Sequence, residues 1–79
     1  MKVSRHFDNV AGTLPNGKVV SYNPISGLVA VGYDSEKPNC VGIEHNQMSV
    51  IINSLTDSDR LESAVNAYNH NCYDKEVYI

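Results

Sequence analysis

"KVVSYNPISGLVAVGY", residues 18–33, is the stretch on which the fold turns. Two runs rich in β-branched and aromatic residues, "KVVSY" and "LVAVGY", flank "NPISG". Pro24 presets φ for the first corner of a turn, and Gly27 supplies a left-handed position near its end. Such a five-residue loop between two β-type runs predicts a β-hairpin. On the second arm Val29, Val31 and Tyr33 share one face, while Leu28, Ala30 and Gly32 share the other. Both faces are largely apolar, which suits an interior strand better than an edge.

Upstream of the hairpin, Val3, Arg5 and Phe7 alternate with Lys2, Ser4 and His6, a weaker strand pattern. "NVAGTLPNG" follows and reads as a loop or tight turn, marked by Gly, Pro and Asn-Gly. Downstream, "DSEKPN" is a polar turn, and "CVGIEH" is a further strand with Val41, Ile43 and His45 on one face.

The period then changes. Met48, Ile51, Ile52 and Leu55 fall at the spacing of one helical stripe, with Asn46 as the expected N-cap. Thr56-x-x-Asp59 has the form of a capping box, with Asp in the Glu position. Asp57, Asp59 and Glu62 lie in the first turns of the next helix, where the macrodipole favours negative charge. Leu61, Ala64, Val65, Tyr68 and Cys72 continue a second stripe. Asn66, Asn69 and His70 are then expected on the solvent side, with Asn71 where the helix stops. "KEVYI" suggests a short last strand. The expected fold is α+β: an antiparallel β-meander of three to four strands followed by two helices packed on one face of the sheet. It occupies a single domain, residues 1–79.

Size and composition narrow the function classes. A 79-residue chain buries only about 60–65% of its unfolded surface, so a deep substrate cavity would compete with the core. No run approaches the roughly 18 apolar residues of a membrane span. "MKVSRHFDNV" has a positive start without an apolar stretch, unlike a secretory leader, so the expected compartment is cytoplasmic. Net charge is −3, unevenly spread. Residues 1–33 carry three cations against one acid, and residues 34–79 carry three cations against eight acids. Such asymmetry can orient a partner, and it also arises on ordinary solvated surfaces.

The chemistry-bearing residues do not assemble into a catalytic or metal pattern. Cys40, His45, His70 and Cys72 are zinc ligands by type, but Cys-x₄-His and His-x-Cys lack the short cysteine knuckle of structural zinc sites. Cys40 and Cys72 could form a disulfide in an oxidising compartment. There is no nucleophile elbow, zincin motif or phosphate-binding loop. No catalytic residue, metal or cofactor is therefore expected, and the protein is not expected to be an enzyme. Lys2, Arg5, Lys18 and His6 make too small a basic group for direct nucleic-acid binding.

The remaining reading is a small binding protein. It would act on a larger protein or nucleoprotein partner as inhibitor, adaptor or regulator, and a homodimer is compatible with it. Tyr22 and Tyr33, with Asp57, Asp59 and Glu62, are the candidate contact residues, because interfaces favour tyrosine anchors. A compact, mildly acidic chain of this type is what phages and mobile elements often encode for such work. Two alternatives stand beside it. One is a small-ligand binder or sequestering protein that grips a nucleotide or metabolite between Tyr22 and Tyr33. The other is a weak nucleic-acid-associated regulator.

Overall fold

The computed structural model describes residues 2–33, 37–71 and Val77. Five strands come first: β1 (Val3–His6), β2 (Asn9–Thr13), β3 (Val19–Asn23), β4 (Leu28–Gly32) and β5 (Asn39–Gly42). Two helices follow, α1 (His45–Ile52) and α2 (Asp57–Asn71). The strands form one antiparallel sheet in sequential order, β1-β2-β3-β4-β5. The α+β meander is as expected, with one strand more than the sequence pattern counted.

The added strand is β2, in the segment read as a loop. Asn9 and Gly12 are poor strand formers on their own. Here Val10 pairs with Tyr22 and Gly12 with Val20, so the neighbouring strand imposes the extended state. The loop proper shrinks to residues 14–18. Leu14 N–H donates to the Lys18 carbonyl at 2.7 Å, and Gly17 takes a φ of 88°. Phe7 likewise leaves the strand face assigned to it. It sits in a two-residue turn between the paired His6 and Asn9.

The β3–β4 hairpin forms as expected, with the loop one residue shorter because Asn23 still pairs with Leu28. Asn23 drives the turn. Its Oδ1 accepts from Ile25 N–H at 2.9 Å and Ser26 N–H at 3.2 Å, and its carbonyl accepts from Gly27 N–H at 2.9 Å. Gly27 has φ 70° and lies so close to α1 that a Cβ there would meet the Met48 sulfur at 3.0 Å. Both demands favour glycine at this position.

The sheet has two unlike faces. Rows Val10–Tyr22–Val29–Val41 and Gly12–Val20–Val31–Asn39 point inward. Burial of each large apolar side chain in this layer stabilises the fold by about 1.5–3 kcal/mol. The outer row runs Ser4–Ala11–Ser21–Ala30–Cys40, and no strand residue of that face is Lys, Arg, Asp or Glu.

The inner face is covered by α2, which reaches all five strands. Leu61, Ala64, Val65 and Tyr68 are buried as the stripe predicts, joined by Ala67. Thr56 caps the helix, its Oγ1 accepting from Asp59 N–H at 3.1 Å. Tyr68 is tied to β5 by Asn39 Nδ2, which donates to its hydroxyl at 2.8 Å. Asn69 is not a solvent residue. Its amide pairs with both the N–H and the carbonyl of Val77, holding that side chain in the core. Asn71 ends the helix, with Nδ2 donating to the Ala67 carbonyl and to Gln47 Oε1 of α1, each at 2.9 Å. The expected last strand falls mostly outside the described residues. Val77 itself is not in a strand.

α1 departs more from expectation. Its N-cap is Glu44, two residues before Asn46, and His45 begins the helix rather than continuing β5. The Gln47 side chain reaches back to Glu44 N–H at 3.3 Å, and Asn46 Oδ1 accepts from Gln47 N–H at 2.9 Å. The helix stops at Ile52, so the predicted stripe breaks. Ile51 is buried, Ile52 is half exposed and Leu55 lies in the link to α2. α1 packs on α2 rather than on the strands.

Candidate functional site

A meander places alternate turns at opposite ends of its sheet. The β1–β2 turn and the β3–β4 turn share one end, where β5 also finishes. Ile43 N–H there donates to the Gly27 carbonyl at 2.9 Å. α1 starts beside Gly27, and its last residue, Ile52, comes to lie with Pro24. The α1–α2 link, residues 53–56, therefore crosses the same end, which is called the turn end below.

Three exposed apolar side chains gather there. Leu55 of the link is 94% exposed, Phe7 of the β1–β2 turn 84% and Ile25 of the β3–β4 turn 77%. Phe7 is held at φ 54°, a left-handed conformation that costs a non-glycine residue about 1–2 kcal/mol. Its ring meets His6 edge-on, with centroids 4.6 Å apart. A two-residue hairpin turn calls for a positive φ, usually supplied by Gly, Asn or Asp, so the exposed aromatic ring at that position is the unusual feature.

The same end holds a cavity of about 200 Å³ lined by Arg5, Val10, Tyr22, Pro24, Ile52 and Arg60. Its charged corner is one carboxylate shared by two guanidinium groups. Arg5 Nη2 and Arg60 Nη1 both donate to Asp57 Oδ1 at 2.7 Å, and Arg5 Nε donates to Asp57 Oδ2 at 3.0 Å. These contacts join edge strand β1 to the first turn of α2. Hydrogen bonds from Arg5 and then Arg60 hold the Asp57 carboxyl at about 2, below its ordinary 3.8. The same pairing raises the Arg5 guanidinium.

Tyr22 forms a wall of this cavity. It is 1% exposed, and its hydroxyl is the buried side-chain polar atom without a hydrogen-bond partner among the described residues. Burial pushes its phenol up from the ordinary 10.0.

The candidate contact residues thus separate. Tyr22 and Asp57 meet at the turn end, but Tyr22 is a buried wall and not a surface anchor. Tyr33 lies beyond β4 at the opposite end, partly exposed near Gly17, with Lys18 Nζ 5.7 Å from its ring centroid. Tyr22 and Tyr33 do not flank a common space. Asp59 and Glu62 are exposed on α2. Arg5, Arg60, Phe7, Ile25 and Leu55 complete the turn end and were not singled out as contact residues in the sequence.

A second hollow, about 320 Å³, lies between the helices and is lined by Gln47, Val50, Ile51, Ser63, Asn66, Ala67 and His70. Ser63 and His70 are two turns apart, about 10 Å along the axis, too far for a nucleophile and its base. Among the described residues no group of three or more His, Cys, Asp and Glu could hold a metal ion. Cys40 is an exposed free thiol on the outer sheet face, while Cys72 lies outside the described residues. Among those residues no helix is long and apolar enough to cross a membrane. No family model matches the chain, and neither a curated protein nor a solved structure matches it.

Proposed function

We propose that the chain is a partner-binding module that docks a larger protein on its turn end, as an inhibitor, adaptor or regulator. The observation that supports this most is the exposure of Phe7, Ile25 and Leu55 at the end of the sheet that also holds the arginine-lined cavity. Single exposed apolar residues are ordinary. Three from three separate connections at one end, beside half-exposed Ile52, make a patch of the kind that marks interaction sites. The arginine pair at the same end adds a side chain that, with Trp and Tyr, is enriched at interface hot spots.

This moves the expected surface. Aromatic and aliphatic anchors now come from turns, and Asp59 and Glu62 stand to one side on α2 as a rim. The test is a quantitative pull-down from cells that make the protein, comparing the native chain with a variant carrying Ile25→Ser and Leu55→Ser. Both residues are exposed, so circular dichroism and melting temperature should hardly change. The expected result is loss of a stoichiometric partner with the fold retained. A variant that keeps the same partner at the same yield overturns the assignment.

A further inference from the structure

We propose that the turn-end cavity is a carboxylate pocket, which receives an acidic side chain or chain end carried on an apolar segment of the partner protein. The inference rests on the docking role proposed above and names the chemistry of what docks.

The guanidinium groups supply the first argument. Each has five N–H donors in a planar fork. Arg5 commits two to Asp57 and Arg60 one. Three donors on Arg5 and four on Arg60 therefore have no partner among the described residues. The Arg5–Asp57–Arg60 group carries one net positive charge. Asp57 already shows how these forks bind a carboxylate, from two sides at 2.7 Å.

Tyr22 supplies the second. Holding a buried hydroxyl without a partner costs about 1–3 kcal/mol, a cost that phenylalanine would avoid at this position. Packing therefore gives no reason for the oxygen. Tyr22 lines a space that already presents two arginines, with its oxygen just behind the surface. The oxygen is closed off from water, so a ligand that reaches it must displace a neighbouring side chain.

The rest of the lining selects the kind of carboxylate. Val10, Pro24 and Ile52 are apolar. At roughly 30 Å³ for each water-sized group, about 200 Å³ holds on the order of six heavy atoms, the size of a carboxylate with a short aliphatic stem. Apolar walls disfavour a fully hydrated phosphate, which would lose its water without replacement on that side. Outside the mouth, Ile25 and Leu55 offer apolar contacts to the residues flanking the acid.

Hexanoate is a suitable probe, because its carboxylate and first carbons match the roughly six heavy atoms of the cavity and its tail end reaches out of the mouth. The isotope-labelled full chain is titrated with hexanoate, with hexanamide and with inorganic phosphate, and amide and Arg Nε–H resonances are followed. Saturable shifts at Arg5, Tyr22, Ile52 and Arg60 are expected with hexanoate. Hexanamide should bind at least about tenfold more weakly, since it lacks the charge that strengthens these hydrogen bonds. Arg60→Gln should weaken hexanoate by about ten- to a hundredfold, and Tyr22→Phe by about three- to tenfold with the fold intact. Equal binding of hexanamide, or no saturable shift, overturns the pocket. Phosphate binding as tightly as hexanoate overturns the assignment to an acid on an apolar stem. Unchanged affinity in Tyr22→Phe overturns the role of its hydroxyl. If hexanoate fails while Ile25→Ser with Leu55→Ser still loses the partner, the pocket falls and the docking surface stands. If hexanoate binds while that variant keeps its partner, the docking surface falls instead.

Discussion

α2 buries Leu61, Ala64, Val65, Ala67 and Tyr68 against the sheet, whereas α1 buries Ile51 alone and leaves Val50 and Ile52 exposed. Yet α1 is the more apolar by composition. Met48, Val50, Ile51 and Ile52 make half of its eight residues, against five of fifteen in α2. The helix with the smaller apolar share places all of its apolar residues inward, and the helix with the larger share leaves two of four exposed. Apolar composition thus does not determine burial. In α2 the residues fall on one stripe that meets a sheet. In α1 the helix stops too early, and lies too far from the strands, for its stripe to close. Exposed apolar surface that the core does not use is available for a partner.

The contrast can be broken at its strongest point. Leu61→Ala in α2 removes a fully buried side chain and should cost about 2–5 kcal/mol, read as a lowered denaturant midpoint. Val50→Ala in α1 should change stability by less than about 0.5 kcal/mol. Comparable losses from the two would mean that α1 is part of the core after all.

The two buried tyrosines sharpen it. Tyr68 of α2 accepts a hydrogen bond from Asn39, and the hydroxyl of Tyr22 in β3 has no partner among the described residues. Tyr68→Phe should therefore destabilise by about 0.5–1.5 kcal/mol. Tyr22→Phe should leave stability unchanged or raise it by on the order of 1 kcal/mol, because no hydrogen bond is lost and the oxygen's desolvation is removed. Opposite signs for one chemical change mark which oxygen serves the fold. Thermal unfolding of both variants at pH 7 reads the signs directly.

How far the molecule could be foreseen follows the same division. The stripe of α2 and the Asn-Pro-x-Ser-Gly turn are local patterns, and both fold as written. β2 was hidden because Asn9 and Gly12 disfavour strands, and the pairing that overrides them lies some ten residues downstream. The turn end was largely hidden. Asp57 and Tyr22 could be picked by type, but the bond between Arg5 and Asp57 spans 52 residues and leaves no local trace. Leu55 fitted its stripe only on the assumption that the helix ran past Asn53, where it is capped. Residues that obey local rules built the core. Those that depart from them, Phe7 at positive φ and Leu55 in water, gather at the proposed site.

The smallest expected effect concerns the Asp57 group, and its sign is fixed. The folded carboxyl titrates at about 2, below its ordinary 3.8. A depressed acid contributes stability that is complete above about pH 4 and is lost as pH falls towards 2. Asp57 is partly open to solvent, so the contribution is screened and modest. Asp57→Asn cannot ionise, so it should melt below the native protein at pH 6, and the gap should narrow as pH falls from about 4 to 2. Melting curves at pH 6 and pH 2.5 decide the matter. A gap of the same size at both would show that Asp57 acts by a route independent of its charge. In that case the arginine pair does not depend on its charge, and both forks would be freer for a partner's carboxylate than the present geometry implies.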